Sequence, residues 1–270
     1  MLVSLVVQIE AAQTGSIRGG TGRAVHGLWF DQWKLIHPAF ADQLHSQNNP
    51  APYSLSPIMG LPRPHKGSII VSEGTSAWFR IATFEHSLSE LLLERWWPAL
   101  SSKIELASLT WHVTGGTVSA DDHPWAGQIT YQDLIEQCLF QLPPPSKWQL
   151  EFATPTAFNS ASGHLPFPLP DSLIKSWLRR WQVFASIGLP EDLPNSARES
   201  LLISSFNLNT VPVRYGSRLT VGCIGLCQIR ASQLTPTIQA AIDLLASFAF
   251  FCGSGHHTTQ GMGLTRMVNG

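Results

Sequence analysis

The stretch Gly253-Ser254-Gly255-His256-His257-Thr258-Thr259-Gln260-Gly261-Met262-Gly263-Leu264 places two Gly-x-Gly units around a polar insert. It follows the apolar, helix-like run Ile238–Phe251 and precedes the strand-like Leu264–Val268. Because glycine accepts positive φ and lets a backbone approach a ligand, such a loop can aim several N–H groups at one oxyanion. Rossmann and Walker loops have the reverse order, strand–loop–helix, and Gly-Lys-Ser/Thr is absent here. The pattern therefore disfavours a nucleotide cofactor and favours a polynucleotide backbone as the ligand.

The composition is that of a folded protein without a general affinity for polyanions. Hydrophobic residues make up 44% of the 270 residues and charged residues 13%, which excludes a disordered chain. The length suits one large domain or two domains of about 100–150 residues. The 17 Lys and Arg against 18 Asp and Glu give a formal net charge of −1. Nucleic-acid binding would therefore require a local basic surface, because phosphate neutralisation usually supplies much of the affinity.

No segment of the sequence predicts secretion, a membrane span or a metal site. The first residues, MLVSLVVQIE, lack the basic region of a signal peptide, and Ile238–Phe251 is shorter than the roughly 20 residues that span a bilayer. The four cysteines show no recognisable metal spacing, and Cys223 and Cys227 favour buried packing over zinc. We predict a cytoplasmic protein without a membrane partner, a metal or a cofactor.

A similar order of elements occurs twice along the chain. In the first half, the strand-like Leu2–Glu10 precedes a Gly-rich loop, a helix with apolar residues at helical spacing, and a short helix from Pro38 to about His45. Short strands, the helix His86–Leu100 and the strand Ile104–Thr114 complete this half.

The second half begins after a Pro-rich segment. Trp148–Ala153 reads as a strand, Asp171–Ser186 as an amphipathic helix, and Ser200–Tyr215 with Arg218–Arg230 as a strand pair around a hairpin turn. Each half approximates β-α-β-β-α-β. We predict an α+β fold of two tandem ferredoxin-like (RRM-like) domains, residues 1–125 and 126–270, the second carrying the C-terminal Gly-rich loop.

Three segments of the chain resemble a known family. They are the loop GSGHHTTQGMGLTRM, the region His26-Gly27-Leu28 … Leu44-His45 … Pro52-Tyr53-Ser54-Leu55-Ser56-Pro57, and the strand pair FNLNTVPVRYGSRLTVGCIGLCQI. With the tandem organisation, these resemble the repeat-associated mysterious proteins of CRISPR systems, most closely the endoribonuclease that cuts CRISPR repeat RNA. The family's loop often carries Lys or Arg inside its insert, whereas the insert here is HHTTQ.

The resemblance implies a metal-independent endoribonuclease that binds CRISPR repeat RNA and cleaves the precursor transcript into guide RNAs. Attack by the 2′-hydroxyl would leave 2′,3′-cyclic phosphate and 5′-hydroxyl ends. A second interpretation is a non-catalytic guide-RNA-binding subunit of a CRISPR effector complex, with other subunits of that complex as partners. A third is a tandem ferredoxin-like protein without an RNA role.

Two histidines are the candidate catalytic residues, since metal-free cleavage requires a base, an acid and stabilisation of the oxyanion. His45 is expected at a helix C-terminus, where the helix dipole favours the imidazolium by about 0.3–1 kcal/mol. By resemblance it matches the family's catalytic histidine; otherwise it is a solvated surface residue. Some relatives carry a second histidine at His26, which alternatively serves only the helix surface. Phe30 and Ala51 lie where some relatives carry a catalytic tyrosine and lysine, so that constellation is absent; Tyr53 is a substitute donor or a buried strand residue.

The candidate RNA-binding residues lie in the Gly-rich loop and among the arginines. The loop residues are Gly253, Gly255, His256, His257, Thr258, Thr259, Gly261 and Gly263. Anion contacts from its insert would come from backbone N–H groups, threonine hydroxyls or protonated histidine. Arg23, Arg214 and Arg218 are phosphate-binding candidates because the guanidinium fork matches phosphate geometry; the alternative for each is a plain surface charge. Trp125, in a polar linker, is predicted to be exposed and able to stack a base.

Overall fold

The computed structural model describes residues 1–18, 20–46, 50–65, 67–160, 163–215 and 218–268. The chain forms two compact units. Unit 1 comprises Met1–Gln128 and Thr259–Gly261, and unit 2 comprises Ile129–Thr258 and Met262–Gly270. The main division thus falls three residues after the predicted boundary at 125, and a short piece of the Gly-rich loop belongs to the first unit. Within the described ranges, no helix combines the length and apolar character that a membrane span needs.

Unit 1 contains a mixed set of strands and helices. In chain order they are β1 Leu2–Ala11, β2 Gly15–Arg18, α1 Gly22–Ile36, α2 Pro38–Ser46, β3 Tyr53–Leu55, β4 Ser68–Val71, β5 Ser76–Thr83, α3 His86–Leu91, β6 Lys103–Leu106, β7 Leu109–Thr117 and β8 Gly127–Ile129, whose last residue is the first of unit 2. A π-helical turn, Leu92–Trp96, continues α3. The predicted helix 86–100 is therefore irregular in its second half.

The main sheet of unit 1 has the strand order of a ferredoxin-like fold. Its antiparallel order β3-β5-β1-β7-β6 puts β1 at the centre, with α1 between the first two strands of the motif and α3 between the last two. β2 and β4 form a separate two-stranded sheet. The large side chains Trp29, Trp33, Trp96 and Trp111 are fully buried, because the apolar faces of the helices cover the sheet.

Unit 2 repeats the arrangement with longer strands. Its elements are α4 Tyr131–Leu139, β9 Lys147–Thr156, β10 Phe158–Ser160, β11 Gly163–Leu165, α5 Pro170–Phe184, α6 Leu193–Ser200, β12 Leu201–Tyr215, β13 Arg218–Ala231, α7 Pro236–Cys252 and β14 Thr265–Met267. A 3₁₀ turn before β14, Thr258–Gln260, begins in unit 2 and continues in unit 1. The sheet order β12-β13-β9-β14 is again that of a ferredoxin-like fold. β12 and β13 pair as far as Tyr215 and Arg218, in agreement with the predicted hairpin; the turn residues Gly216 and Ser217 lie outside the described residues.

One tryptophan contradicts the sequence prediction. Trp125 was predicted to be exposed, yet its relative exposure is 5%. Ser4 Oγ donates a hydrogen bond of 2.6 Å to the Trp125 carbonyl, which ties this segment to the central strand β1. A buried indole cannot stack on a base, so Trp125 is removed from the candidate RNA contacts.

Candidate functional site

The two candidate catalytic histidines of unit 1 both contact one buried phenyl ring. His26 and Phe30 are one turn apart on α1, and their ring centroids are 4.9 Å apart. His45 lies in the last turn of α2, exposed, with its ring centroid 5.2 Å from that of Phe30. The burial of Leu44 orients this end of α2, because Leu44 packs in the core that also contains Phe30. The structure thus brings together two imidazoles that are 19 residues apart in sequence.

The two imidazoles have different surroundings. His26 is half-buried, and burial, then the neighbouring His45 and then Arg23 lower its pKa below 6.5. Arg23 is exposed and lies three residues before His26 on α1. A neutral imidazole is therefore favoured at position 26, where it can accept a proton.

The structure contains no proton donor at position 30. Tyr53, on β3, is the phenolic group that contacts Phe30, with ring centroids 6.2 Å apart. It is 4% exposed, and burial raises the pKa of its hydroxyl above the ordinary value of 10.0. Tyr53 also packs on Trp29, at a centroid distance of 5.3 Å, so its position is that of a core residue.

The beginning of α1 is closely packed against the part of the Gly-rich loop that belongs to unit 1. A Cβ atom at Gly22 would clash with the carbonyl oxygen of Gln260, and one at Gly261, where φ is +93°, would lie 2.8 Å from the Gly22 Cα. Beside this contact is a cavity of about 340 Å³ whose polar lining includes Ser16, Arg18, Thr21 and Ser108. The close approach of the two backbones therefore requires glycine at positions 22 and 261. Gly22 lies four residues before His26.

The part of the Gly-rich loop in unit 2 uses its amides inside the protein. The N–H of Ser254 donates to the Gly263 carbonyl at 2.8 Å, that of Gly255 to Ser176 Oγ at 2.9 Å, and that of His256 to the Ala157 carbonyl at 3.0 Å. The N–H groups of Gly253, Met262, Gly263 and Leu264 are bonded to protein acceptors in the same way. Because these amides are bonded within the protein, a phosphate ligand of this part of the loop would be contacted mainly by side chains.

Arg180 stabilises this loop through hydrogen bonds, a role that was not predicted from the sequence. Its guanidinium donates to the Gly255 carbonyl at 2.9 Å, to Thr258 Oγ1 at 3.2 Å and to Ser176 Oγ at 2.9 Å. Ser176 and Arg180 are spaced i, i+4 on α5. This polar pair on an otherwise apolar helix face is the sequence pattern that could have indicated the contact. Trp177 Nε1 donates to Ser254 Oγ at 2.8 Å on the same side.

Three histidines of unit 2 form a cluster, which we call the imidazole cluster: His164, His256 and His257. The rings of His164 and His256 stack with centroids 4.2 Å apart and an interplanar angle of 31°, and His257 meets His256 edge-on at 4.7 Å. His164 and His257 are exposed, whereas both ring nitrogens of His256 are buried without a hydrogen-bond partner among the described residues. Burial, His257 and His164 lower the pKa of His256 to about 4.

We expect this buried imidazole to make unit 2 sensitive to acid. Between pH 6.5 and 4 the unfolded chain binds a proton at His256 that the folded protein does not, so the free energy of unfolding falls as pH falls through this range. The loss between pH 7.5 and pH 5 should be about 1–2 kcal/mol after allowance for partial exposure. Denaturant unfolding at both pH values, compared with the His256→Phe variant, measures this term. An equal loss of stability in His256→Phe would show that other groups cause it.

The candidate arginines belong to different units. Arg23 belongs to α1 in unit 1, and Arg214 is exposed on β12 of unit 2, opposite Leu219 on β13. The side chain of Arg218 lies outside the described residues. Across the described ranges, no three His, Cys, Asp or Glu side chains are placed to hold a metal ion.

Two family models match nearly the whole chain. The CRISPR Cas6 N-terminal domain matches residues 1–136, which include both candidate histidines, and the CRISPR-associated endoribonuclease Cas6 matches residues 150–265, which include the whole Gly-rich loop. The chain belongs to the Cas6 family of CRISPR-associated endoribonucleases. The family resemblance read from the loop and the N-terminal region is confirmed.

The chain is similar to known Cas6 proteins, and the aligned share of each chain differs between them. A CRISPR-associated endoribonuclease Cas6 of Mycobacterium tuberculosis is 25% identical over 150 residues, which make up 53% of this chain and 48% of that relative. The alignment thus spans about half the length of the curated relative. A solved Cas6 product complex is 26% identical with a TM-score of 0.80 and covers 99% of both chains. Thermus thermophilus Cas6, 24% identical over 99% of this chain and 98% of its own, has the same fold with a TM-score of 0.75. The predicted α+β fold class is confirmed.

Proposed function

We propose that this Cas6 family protein binds CRISPR repeat RNA and cleaves the precursor transcript into guide RNAs without a metal ion. The observation that carries the proposal is the contact of both His26 and His45 with Phe30, within the part of the chain that matches the Cas6 N-terminal domain. Two imidazoles at one site supply the base and the acid that a transesterification needs.

In the proposed reaction the two histidines have different roles. Neutral His26 accepts the proton of the 2′-hydroxyl, whose oxygen attacks the adjacent phosphorus. His45, in the last turn of α2, donates a proton to the departing 5′-oxygen. The products are a 2′,3′-cyclic phosphate and a 5′-hydroxyl. Arg23 provides a nearby positive charge for the developing oxyanion.

The proposal is tested by incubating the purified protein with 5′-labelled repeat RNA in EDTA. Cleavage within the repeat, giving a fragment whose cyclic phosphate is opened by acid, supports the reaction. Tight binding without cleavage supports the second candidate, a guide-RNA-binding subunit, which is favoured by the absence of a proton donor at Phe30 and of an amine at Ala51. Cleavage only after addition of a divalent metal rejects the two-histidine mechanism.

The pH dependence of cleavage should show the lowered pKa of His26. As pH falls, the single-turnover rate should decrease with a midpoint below pH 6.5, because protonation of His26 removes the base. Since Arg23 contributes to the lowering, Arg23→Ala should move this midpoint to higher pH. Rate profiles of both proteins and of Lys103→Ala, an exposed cation on β6, measure the shift. A midpoint that is the same in all three proteins would mean that His26 is not the base.

The salt dependence of RNA binding should reflect a few local contacts, because the net charge is −1. For single-stranded RNA, the slope of log affinity against log salt is roughly 0.7 per neutralised phosphate, so Arg214→Ala should flatten it by somewhat less than about one unit. Lys147→Ala, also exposed and on β9, is the control and should leave the slope unchanged. Affinity titrations at several salt concentrations make the comparison, with a scrambled repeat measured beside them. A scrambled RNA that binds as tightly as the repeat contradicts selective repeat processing.

A further inference from the structure

The imidazole cluster exposes the ring of His164 to solvent, and the ring of His256 supports it from the protein side. His164 is exposed on β11, and the face that it turns to the protein lies on His256 at 4.2 Å. His256 in turn is held by its own N–H bond to the Ala157 carbonyl and by the edge contact with His257. Because the ring of His164 is braced on one side only, its other side is available for a second flat ring.

The chemistry of the cluster favours an uncharged, planar ligand. His256, whose ring nitrogens are buried, stays neutral and serves as a stacking surface for His164. The three side chains are not placed to hold a metal ion, since no such group occurs in the described part of the chain. Stacked imidazoles present ring faces, and histidine is among the side chains on which unpaired RNA bases stack.

A polar side chain on the same hairpin can read the edge of a base. Asn159 on β10 is the direct cross-strand partner of His164, and both are exposed. Directly opposed residues of an antiparallel pair project on the same face of the hairpin. An amide with one donor group and one acceptor beside a stacking ring is the combination that distinguishes one base from another.

We propose that His164, supported by His256, stacks on one unpaired base of the bound RNA, and that Asn159 contributes to the choice of that base. This inference rests on the proposed RNA-processing function and adds a recognition site in unit 2 that is separate from the two-histidine site of unit 1. The Gly-rich loop then acts mainly as a scaffold: it fixes His256 beneath His164 while most of its amides are bonded within unit 2.

The test compares His164→Ala, His164→Phe and the control His112→Ala, an exposed histidine on β7. The ligand is repeat RNA with a 2′-deoxy group at the cleaved position, so that binding is measured without reaction. His164→Ala should weaken binding about fivefold to a hundredfold, the range measured for loss of one base stack, with an unchanged salt slope. His164→Phe should bind like the parent, because a phenyl ring also stacks. Circular dichroism confirms that each variant is folded.

Replacement of each unpaired base in turn by 2-aminopurine locates the contact. At one position the fluorescence should be quenched on binding to the parent and to His164→Phe, and restored with His164→Ala. Parent-like affinity of His164→Ala overturns the inference, as does a His164→Phe variant that binds as weakly as His164→Ala with a flatter salt slope, which would indicate a phosphate contact. A parent that binds the repeat through His164 but does not cut it rejects the proposed reaction alone. A parent that does not bind the repeat overturns both.

Discussion

His45→Ala should reduce the single-turnover rate of repeat-RNA cleavage by at least about a hundredfold, the usual contribution of a positioned acid or base. The affinity for uncleavable repeat RNA should change little, because one exposed imidazole neutralises little phosphate charge. The fold should also be unaffected, since the His45 side chain is exposed at the end of α2 and the buried Leu44 remains to anchor the helix. Rapid-quench cleavage at saturating protein measures the effect on the cleavage rate, and a separate binding measurement gives the effect on affinity.

The matched control for His45→Ala is His37→Ala. His37 is an exposed histidine at the end of the preceding helix, where its Nδ1 accepts a bond of 3.3 Å from the Phe40 N–H. It should cleave at the parent rate. His26→Ala should also be slow, and normal cleavage by both His45→Ala and His26→Ala would exclude the histidine mechanism. If only His26→Ala is slow, His45 is not the acid and the assignment of roles is wrong.

The order of helices and strands along the chain could be predicted from the sequence because it depends on local periodicity. The apolar pattern of α1 and the proline that begins α2 place His26 and His45 on their helices, and the α-helical spacing alone brings His26 to Phe30. The contact between Phe30 and His45 depends on how α2 packs, and nothing local specifies it. The family resemblance, not the periodicity, selected His45 from ten histidines.

Partners that are distant in the sequence could not be predicted. Trp125 stands among polar residues, and its segment is held against β1 by contacts distant in sequence, among them the bond from Ser4, 121 residues away. The amides of the Gly-rich loop similarly find acceptors on Ala157, Ser176 and Pro155, at sequence separations that no local pattern reveals. From the sequence alone, a glycine-rich loop whose amides bond within the protein therefore cannot be distinguished from one whose amides bind an anion, because both need glycines at positive φ.

Gly263→Ala should lower the free energy of unfolding by about 2–4 kcal/mol. The φ of Gly263 is +73°, a conformation that costs an L-residue roughly 1–2 kcal/mol, and an added Cβ would clash with the Ser254 carbonyl oxygen. That oxygen cannot move easily, because two hydrogen bonds of Gly263 fix the loop. The Gly263 carbonyl accepts from the Ser254 N–H at 2.8 Å, and the Gly263 N–H donates to the Pro155 carbonyl at 3.1 Å. Denaturant unfolding, followed by circular dichroism, measures the loss.

Two other glycines separate the causes of this loss. Gly188 has neither a positive φ nor a neighbour within 4 Å, so Gly188→Ala should be nearly neutral, while Gly74, at φ +79° with the same open surroundings, should show the conformational cost alone. The excess of Gly263→Ala over Gly74→Ala is then the clash. RNA affinity measured on the same proteins, under conditions where each is folded, shows whether the loop also matters for binding. A Gly263→Ala variant with parent stability and parent affinity would remove the loop both from the packing that supports His256 and from the RNA interface.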